Sequence, residues 1–240
     1  MIKKTVALFL FGGVLFLGMA ATRVANAASG ELDRRIHESK NVMDEVMATP
    51  DQSIPEELLA KCKAIAIYPS VLKGGFIFGA RFGKGVVVAR DPKTGQWGSI
   101  AFSTIGGGSW GLQIGGQATD LILVIMNERG LDGILSDNFT LGAGAAVSAG
   151  PVGRNSEVST DLTLRANIIS YSRSRGLFGG ISLEGTVLTQ DNNSNTEYYG
   201  KPVTSRGILL GGVVTPEASS KELDDALDEY STHWEKRNKK

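Results

Sequence analysis

Two kinds of hydrophobic pattern divide this chain. From Glu31 to Met47 the apolar residues fall largely at three- and four-residue spacing among charged residues, which predicts an amphipathic helix. Because both signs of charge cover its polar face, we expect it to pack on the rest of the protein; the alternative is a helix on a membrane surface. A brief second helix is predicted from Glu56 to Lys63. A last helix is predicted to begin at Thr215-Pro216, or at a capping box formed by Ser219 and Glu222.

Between these helices the pattern is that of short strands, apart from a helical stretch predicted at Glu128–Leu135. The run Leu121–Met126 is continuously apolar, which indicates a central strand. The polar stretch Gln190–Thr196 is predicted to be a moving loop between strands. The other predicted strands are Ala64–Tyr68, Gly75–Arg81, Gly85–Arg90, Gln96–Phe102, Trp110–Gln117, Phe139–Ala149, Val158–Ala166, Ile168–Arg173, Leu177–Leu188 and Arg206–Val214.

Glycine is unusually dense within these strands, which favours a strongly curved sheet with bends and close backbone approaches. No predicted helix between successive strands is long enough for a doubly wound fold. We therefore expect a single α+β domain over 28–240. It comprises a helical part at 28–63, a β-rich core at 64–214 and a C-terminal helix at 215–240. The core is expected to be a strongly curved, barrel-like antiparallel β-sheet, flanked by the N-terminal and C-terminal helices.

The first 27 residues have the pattern of a secretory signal peptide. Lys3 and Lys4 precede an apolar run from Val6 to Ala21, and Ala25-Asn26-Ala27 forms a cleavage site of small residues. We expect cleavage near Ala27 and a periplasmic or secreted protein. If the run is retained, it predicts an N-terminal membrane anchor instead.

Charge and cysteine content narrow the possible functions. Loss of 1–27 removes Lys3, Lys4 and Arg23, so the 25 basic and 25 acidic residues become 22 and 25. A mildly acidic protein is not drawn to nucleic acid or to an anionic membrane by its net charge, so such binding requires a local patch. Cys62 is the only cysteine, which excludes an intramolecular disulfide, and we expect it to be buried. Two distant histidines and one cysteine provide no metal set, and no cofactor is expected.

The order of several short motifs resembles the SYLF family. The motifs are Ile65-Ala66-Ile67-Tyr68-Pro69, Gly74-Gly75-Phe76-Ile77-Phe78-Gly79-Ala80-Arg81, Lys84-Gly85-Val86, Gly115-Gly116-Gln117-Ala118-Thr119-Asp120, Ala149-Gly150-Pro151-Val152-Gly153-Arg154, Tyr171 to Gly185, and Tyr198-Tyr199-Gly200-Lys201. The resemblance spans about Leu32 to Val214. It implies binding of phosphoinositides and other lipids, and for eukaryotic members also of actin. Because the leader directs a bacterial chain away from actin and phosphoinositides, we expect neither as a partner.

The stretch from Tyr171 to Gly185 contains the first candidate site. Arg173 and Arg175 lie among hydroxyls and aromatics at a predicted turn, and arginine suits phosphate oxygens. We expect one basic face, with Tyr171 and Phe178 nearby at the acyl boundary. Its cations are Arg173, Arg175, Arg154, Lys73, Arg81 and Lys84. The leading hypothesis is thus a non-enzymatic protein of the bacterial envelope that binds anionic phospholipid.

Two other functions compete with lipid binding. The first is an envelope protein that binds another protein and uses the same residues only as scaffold. The second is a serine hydrolase, because Gly107-Gly108-Ser109-Trp110-Gly111 matches G-x-S-x-G, with His233 or His37 as the base. The glycine-rich, extended stretch after Ser109 argues against the helix that this motif requires. Asp120 is expected to be a buried aspartate that fixes a turn; the alternative is a catalytic acid.

Overall fold

The structure is a computed structural model that describes residues 30–49, 53–75, 78–110, 117–153, 166–174 and 177–238. The helices are α1 (30–47), α2 (Glu56–Lys61), α3 (Glu128–Ile134), α4 (Asn192–Tyr199), α5 (Ser205–Leu210) and α6 (Lys221–Asn238). The strands are β1 (Ala64–Gly75), β2 (Phe78–Arg90), β3 (Trp97–Trp110), β4 (Gln117–Ile125), β5 (Asn138–Thr140), β6 (Val147–Ala149), β7 (Ile168–Ser174), β8 (Leu177–Gly180) and β9 (Val187–Gln190).

The described strands form one sheet in the order β5-β9-β3-β2-β1-β4-β7-β6, and β8 pairs with β7. The sheet is strongly curved into a half-barrel, and helices lie at both ends of the chain. This confirms the predicted α+β fold. One detail of the prediction is wrong, because the short pair β6 and β7 is parallel in an otherwise antiparallel sheet.

Hydrophobic cores cover both faces of the sheet. Residues Ile65 and Ile67 of β1 pack into a core with α1, α2 and α6, and we call this side the α1 face. The alternate residues Ala64, Ala66 and Tyr68 pack into a second core with α3 and α5, on what we call the α3 face. Two covered faces explain why the central strands have continuous apolar runs rather than an alternating pattern.

The α1 face confirms that the first helix packs on the protein. Leu32, Ile36, Val42, Met43 and Val46 of α1 are all buried in its core. The helix is also held by polar contacts, since Arg35 pairs with Asp191 at 3.2 Å and the Tyr230 hydroxyl donates to Asp44 at 2.8 Å.

A β-bulge in β1 changes which residues face which side. The pairing of β1 with β4 shifts by one residue between Tyr68 and Val71, and Ser70 there has a positive φ of 53°. The N–H of Ser70 donates to Oδ1 of Asp120 at 2.9 Å. Because of this extra residue, Tyr68 and Val71 lie on the same face, and Lys73 follows them onto the α3 face.

Two segments predicted as loop and strand are helices. Instead of the loop Gln190–Thr196, α4 begins after Asp191, which accepts from the Ser194 N–H, and ends at Gly200 in the left-handed conformation. Instead of the strand Arg206–Val214, α5 begins after Thr204, whose side chain accepts from the Gly207 N–H. Asp191 and Thr204 are residue types that favour helix N-caps, so the sequence does contain a local signal for both helices.

Several predicted boundaries also differ. The predicted strand Gly75–Arg81 starts at the last residue of β1, and its described remainder belongs with Gly85–Arg90 to one strand, β2. In place of the predicted strand Phe139–Ala149 there are two three-residue strands, β5 and β6, with a turn between them. Leu177–Leu188 is likewise divided into β8 and the start of β9. The last helix starts at Lys221, later than either predicted cap. Most of the strands predicted at Trp110–Gln117 and Val158–Ala166 lies outside the described residues.

Candidate anion-binding site

Two cations lie directly opposite each other where β1 and β2 approach their connection. Lys73 pairs with Arg81 across the antiparallel strands, and both project from the α3 face. Directly opposed like charges destabilise a strand pair, since their side chains are only about 5 Å apart at the Cβ atoms. An anion between them would remove this repulsion.

No acidic side chain of the described residues neutralises this pair. Within that part of the chain neither Lys73 nor Arg81 forms an ion pair, although most other described basic residues do. Arg81 donates from Nη1 to the Thr186 hydroxyl at 3.3 Å, which holds its guanidinium in place. Its Nε is buried and has no hydrogen-bond partner among the described residues. Burial lowers the pKa of Arg81, which reflects the cost of a buried charge without a counter-charge.

The two cations line a cavity of about 200 Å³ on the α3 face. Hydroxyl groups form its polar wall, contributed by Thr119 of β4 and by Ser172 and Ser174 of β7. The apolar side chains of Val71, Leu121 and Ile181 complete the described lining. Cationic and hydroxyl groups around an apolar wall can hold a phosphate or another oxyanion that has a carbon chain attached.

An exposed apolar pair lies on the opposite side of the same strands. Leu72 of β1 pairs with Phe82 of β2, and their side chains are 63% and 54% exposed. Because neighbouring residues of a strand face opposite sides, Leu72 and Phe82 project away from the cavity. This end of the β1 and β2 pair therefore presents cations on one side and exposed apolar groups on the other.

The predicted basic residues are divided between the two faces. Lys73 and Arg81 lie together in the cavity, whereas Lys84 and Arg173 project from the α1 face towards α1. There Lys84 lies 3.5 Å from Glu31, and Arg173 contacts both Glu45 and Asp120. Their charges are thus paired with acids. Arg154 and Arg175 lie outside the described residues.

The aromatic residues are not at the surface that the sequence suggested. Tyr171 is completely buried, and its hydroxyl donates to the Pro151 carbonyl at 3.0 Å. Phe178 stacks on the Tyr171 ring at a centroid distance of 5.3 Å and is partly buried in the same core. Gly150 lies against this ring, since a Cβ there would be 2.1 Å from Cζ of Tyr171. These residues belong to the core of the α1 face.

Asp120 anchors the β1 bulge. Its Oδ1 accepts from the Ser70 N–H, and its Oδ2 accepts from Nε of Arg173 at 3.1 Å. This agrees with the predicted role of a hydrogen-bonded aspartate that fixes local backbone, although it fixes a bulge and not a turn.

The other candidate chemistries receive no support from the described residues. Ser109 lies within β3 and pairs with Gly79, which is an extended position and not a strand-to-helix elbow. Cys62 is buried, as predicted, and burial raises the pKa of its thiol to about 12. In the described part of the chain, no group of histidine, cysteine and acidic side chains is placed to hold a metal.

The sequence prediction missed the hydroxyl residues of the cavity. Ser172 and Ser174 alternate with Tyr171 and Arg173 along β7, so a period of two would have placed them on the face opposite these two residues. Thr119 could not be found in this way, because its proximity depends on the pairing of β4 with the bulged strand β1.

The described residues define an α+β domain with one curved sheet and a cation-lined cavity. The sequence profile of the Ysc84 family, described as "Las17-binding protein actin regulator", matches residues 106–230, just over half of the chain. The chain therefore belongs to the Ysc84 family, which confirms the SYLF resemblance. This is a family of binding and regulatory domains.

Relatives from animals and yeast show the same relationship. The chain is 37% identical over 187 residues to human SH3 domain-containing YSC84-like protein 1, an alignment that covers 78% of this chain and 54% of the relative. It is 36% identical over 172 residues to protein YSC84 of Saccharomyces cerevisiae, covering 70% of this chain and 36% of that protein. The chain thus spans about half or less of the length of these relatives. The family's description names protein partners, which is at odds with our expectation that actin is not a partner.

Proposed function

We propose that this protein is a non-enzymatic lipid-binding protein that recognises anionic phospholipid at the end of the sheet where Lys73 and Arg81 lie. The observation that carries the proposal is this cross-strand cation pair, which has no acidic partner among the described residues and lines a cavity. The exposed pair Leu72 and Phe82, on the opposite face of the same two strands, offers apolar contact with acyl chains. Cationic and apolar groups at the same end of one strand pair, on its two faces, match the boundary between headgroups and hydrocarbon.

Local charge has to account for the attraction. Without residues 1–27 the protein carries 22 basic and 25 acidic residues, so its net charge opposes binding to an anionic membrane. A cation close to an anionic bilayer contributes about 1 kcal/mol. Lys73 and Arg81 together therefore supply about 2 kcal/mol, to which burial of Leu72 and Phe82 would add.

The compartment proposed for this activity is the bacterial envelope. The signal-peptide pattern of residues 1–27 supports a periplasmic or secreted protein, with N-terminal anchoring in the membrane as the alternative. Residues 1–27 lie outside the described part of the chain. Among the described residues, no helix is long and apolar enough to cross a membrane. Phosphatidylglycerol and other anionic phospholipids of bacterial membranes are the proposed ligands.

Liposome flotation tests the proposal. The purified protein is mixed with vesicles of neutral phosphatidylcholine alone or with added phosphatidylglycerol. The mixture is kept at low salt, because salt screens the attraction between the cations and the anionic lipid least under that condition. We expect it to float with the anionic vesicles, and the double variant K73Q/R81Q to bind at least about tenfold more weakly. Circular dichroism and thermal unfolding verify that the variant is folded.

A matched control removes the same charge elsewhere. Lys61 lines a second pocket near the turn between β2 and β3, and Lys93 lies in that turn, at the end of β2 away from Arg81. The variant K61Q/K93Q should therefore keep most of the affinity for vesicles. An equal loss in both variants would show that only net charge matters, and the site at Lys73 and Arg81 would be rejected.

The second candidate function is a protein-interaction module. The description of the Ysc84 family as Las17-binding and actin-regulating supports it. If the parent protein binds no anionic vesicle even at low salt, the lipid proposal fails and a protein partner becomes the better hypothesis. The exposed residues Leu72 and Phe82 would then be the first positions to substitute, since exposed apolar groups often mark interfaces.

A further inference from the structure

We propose that the cavity beside Lys73 and Arg81 is a subsite for a phosphomonoester, a terminal phosphate group with two ionisable oxygens. Such a group is the headgroup of phosphatidate, and it also occurs in soluble phosphate esters. The inference deepens the proposed lipid-binding function and rests on it for the membrane source, although the cavity itself can be tested without a membrane.

Charge is the first reason for this choice. The described lining of the cavity contains two cations and no carboxylate. A phosphomonoester carries a charge of about −1.5 to −2 at pH 7, because its second pKa is about 6. A phosphodiester such as the phosphate of phosphatidylglycerol carries only a single charge. The monoester therefore neutralises the pair Lys73 and Arg81, whereas the diester leaves part of their repulsion.

Hydrogen bonding is the second reason. The ammonium group of Lys73 has three donors, and the buried Nε of Arg81 has no partner among the described residues. Thr119 and Ser172, which have hydroxyl groups, lie on the same wall. A monoester presents three terminal oxygens to these groups, and a diester presents only two. A cavity with several donors thus satisfies more hydrogen bonds with the monoester.

The size of the cavity agrees with a small anionic group. Its volume of about 200 Å³ is smaller than the roughly 300–1,000 Å³ of sites for drug-sized ligands. A phosphate group with a short carbon chain matches this size better than an inositol ring with several phosphates. Val71, Leu121 and Ile181 provide the apolar surface that the carbon chain would contact.

Asp120 acts as a positioning residue for this site. Its contact with the Ser70 N–H holds the bulge that turns Lys73 towards Arg81. Without the extra residue in β1, the alternation of side chains would place Lys73 on the α1 face and would leave Arg81 alone in the cavity. The carboxylate lies on the α1 face and does not line the cavity itself.

The experiment compares three probes with the same purified protein. The first two are vesicles that contain phosphatidate or phosphatidylglycerol, adjusted to equal zeta potential so that surface charge is matched. The third is soluble glycerol 3-phosphate, measured by calorimetry, with glycerophosphoglycerol as the diester control. At pH 7.5 we expect at least fivefold tighter binding to phosphatidate vesicles than to phosphatidylglycerol vesicles. Calorimetry should detect binding of glycerol 3-phosphate but not of glycerophosphoglycerol.

Variants and pH identify the source of the preference. R81Q should abolish the preference for phosphatidate, whereas K61Q/K93Q should preserve it. The preference should also decline as the pH falls through about 6, where the monoester takes up its second proton. A preference that survives in a folded R81Q variant would overturn the assignment of this cavity.

The outcomes separate this inference from the proposed function. Equal binding of both vesicle types overturns the phosphomonoester subsite and leaves anionic lipid binding intact. Binding of glycerol 3-phosphate without any binding to vesicles supports the subsite, and it makes a soluble phosphate ester the ligand and overturns the lipid proposal. The absence of binding to every probe overturns both.

Discussion

At the scale of single residues, Gly85 shows how closely the bulged strand packs on its neighbour. A Cβ at this position would lie 2.2 Å from the carbonyl oxygen of Ile67 and 2.5 Å from Cδ1 of Tyr68. The first of these atoms belongs to the backbone of a central strand and cannot move aside without breaking the sheet. Tyr68 is also fixed, since it is buried and its hydroxyl lies 2.9 Å from that of Ser103.

We therefore predict that G85A destabilises the protein. Overpacking of a closed core costs about 1–3 kcal/mol, and urea unfolding of variant and parent measures the change. The matched control is G108A in β3, where an added Cβ meets nothing within 4 Å. G108A should be neutral or slightly stabilising, because alanine restricts the unfolded chain more than glycine does. Equal stability of G85A and G108A would contradict the tight packing at Gly85.

At the scale of elements, α6 contains an acidic residue that its packing does not suit. Asp224 lies in the first turn of the helix, and burial, with smaller contributions from Asp225 and Asp228, raises the pKa of its carboxyl group to about 7. Its Oδ2 accepts from the Ser220 hydroxyl at 3.3 Å, whereas its Oδ1 is buried without a partner in the described part of the chain. The helix therefore packs best when Asp224 is protonated.

This predicts a stability that depends on pH. The folded protein holds the proton up to about pH 7, whereas the unfolded chain releases it near pH 4, so the stabilisation is complete below about pH 4 and is lost as the pH rises through 7. D224N keeps the neutral form and should be more stable than the parent at pH 8 by about 1–2 kcal/mol, a value reduced for the partial exposure of the group.

Thermal unfolding from pH 4 to pH 8 measures this difference. The advantage of D224N should grow between pH 4 and pH 7 and level off above. D225N is the control, because the exposed Asp225 side chain is paired with Lys221 at the helix surface. An advantage that is the same at pH 4 and pH 8 would show that folding does not raise the pKa of Asp224.

At the scale of the whole molecule, Arg173 joins parts that are far apart in the sequence. It extends from β7 to Asp120 of β4 at 3.1 Å and to Glu45 of α1, and Asp120 in turn holds the bulge of β1. One guanidinium thus ties the N-terminal helix to three strands of the sheet. Most of the Arg173 side chain is covered, since only 25% of it is exposed.

We predict that R173Q lowers the free energy of unfolding by about 1–2 kcal/mol, because it removes the ion pairs with Asp120 and Glu45. This loss lies between the values for exposed and for buried ion pairs. Urea unfolding measures the change, and R34Q is the control, because Arg34 forms an exposed ion pair with Glu38. R34Q should change stability by less than about 0.5 kcal/mol. If R173Q instead unfolds like the parent and binds vesicles more weakly, Arg173 contributes to the lipid site, as the sequence suggested.

The sequence by itself determined those features of the protein that depend on local pattern and composition. The spacing of apolar residues predicted α1 and α6, the continuous run in β4 predicted a central strand, and glycine density predicted a curved sheet; all are present. The sequence also predicts Lys73 and Arg81 as members of a basic site, because a glycine-rich hairpin projects basic side chains.

What only the tertiary structure decided is where each side chain points. A one-residue bulge in β1, held by Asp120 from a strand some 50 residues away, turns Lys73 towards Arg81. The same alternation directs Arg173 to α1 and the serines of β7 to the cavity, and it buries Tyr171. Because strand residues alternate between faces, a single inserted residue exchanges surface and core, and no local pattern reveals a bulge whose partner lies on another strand.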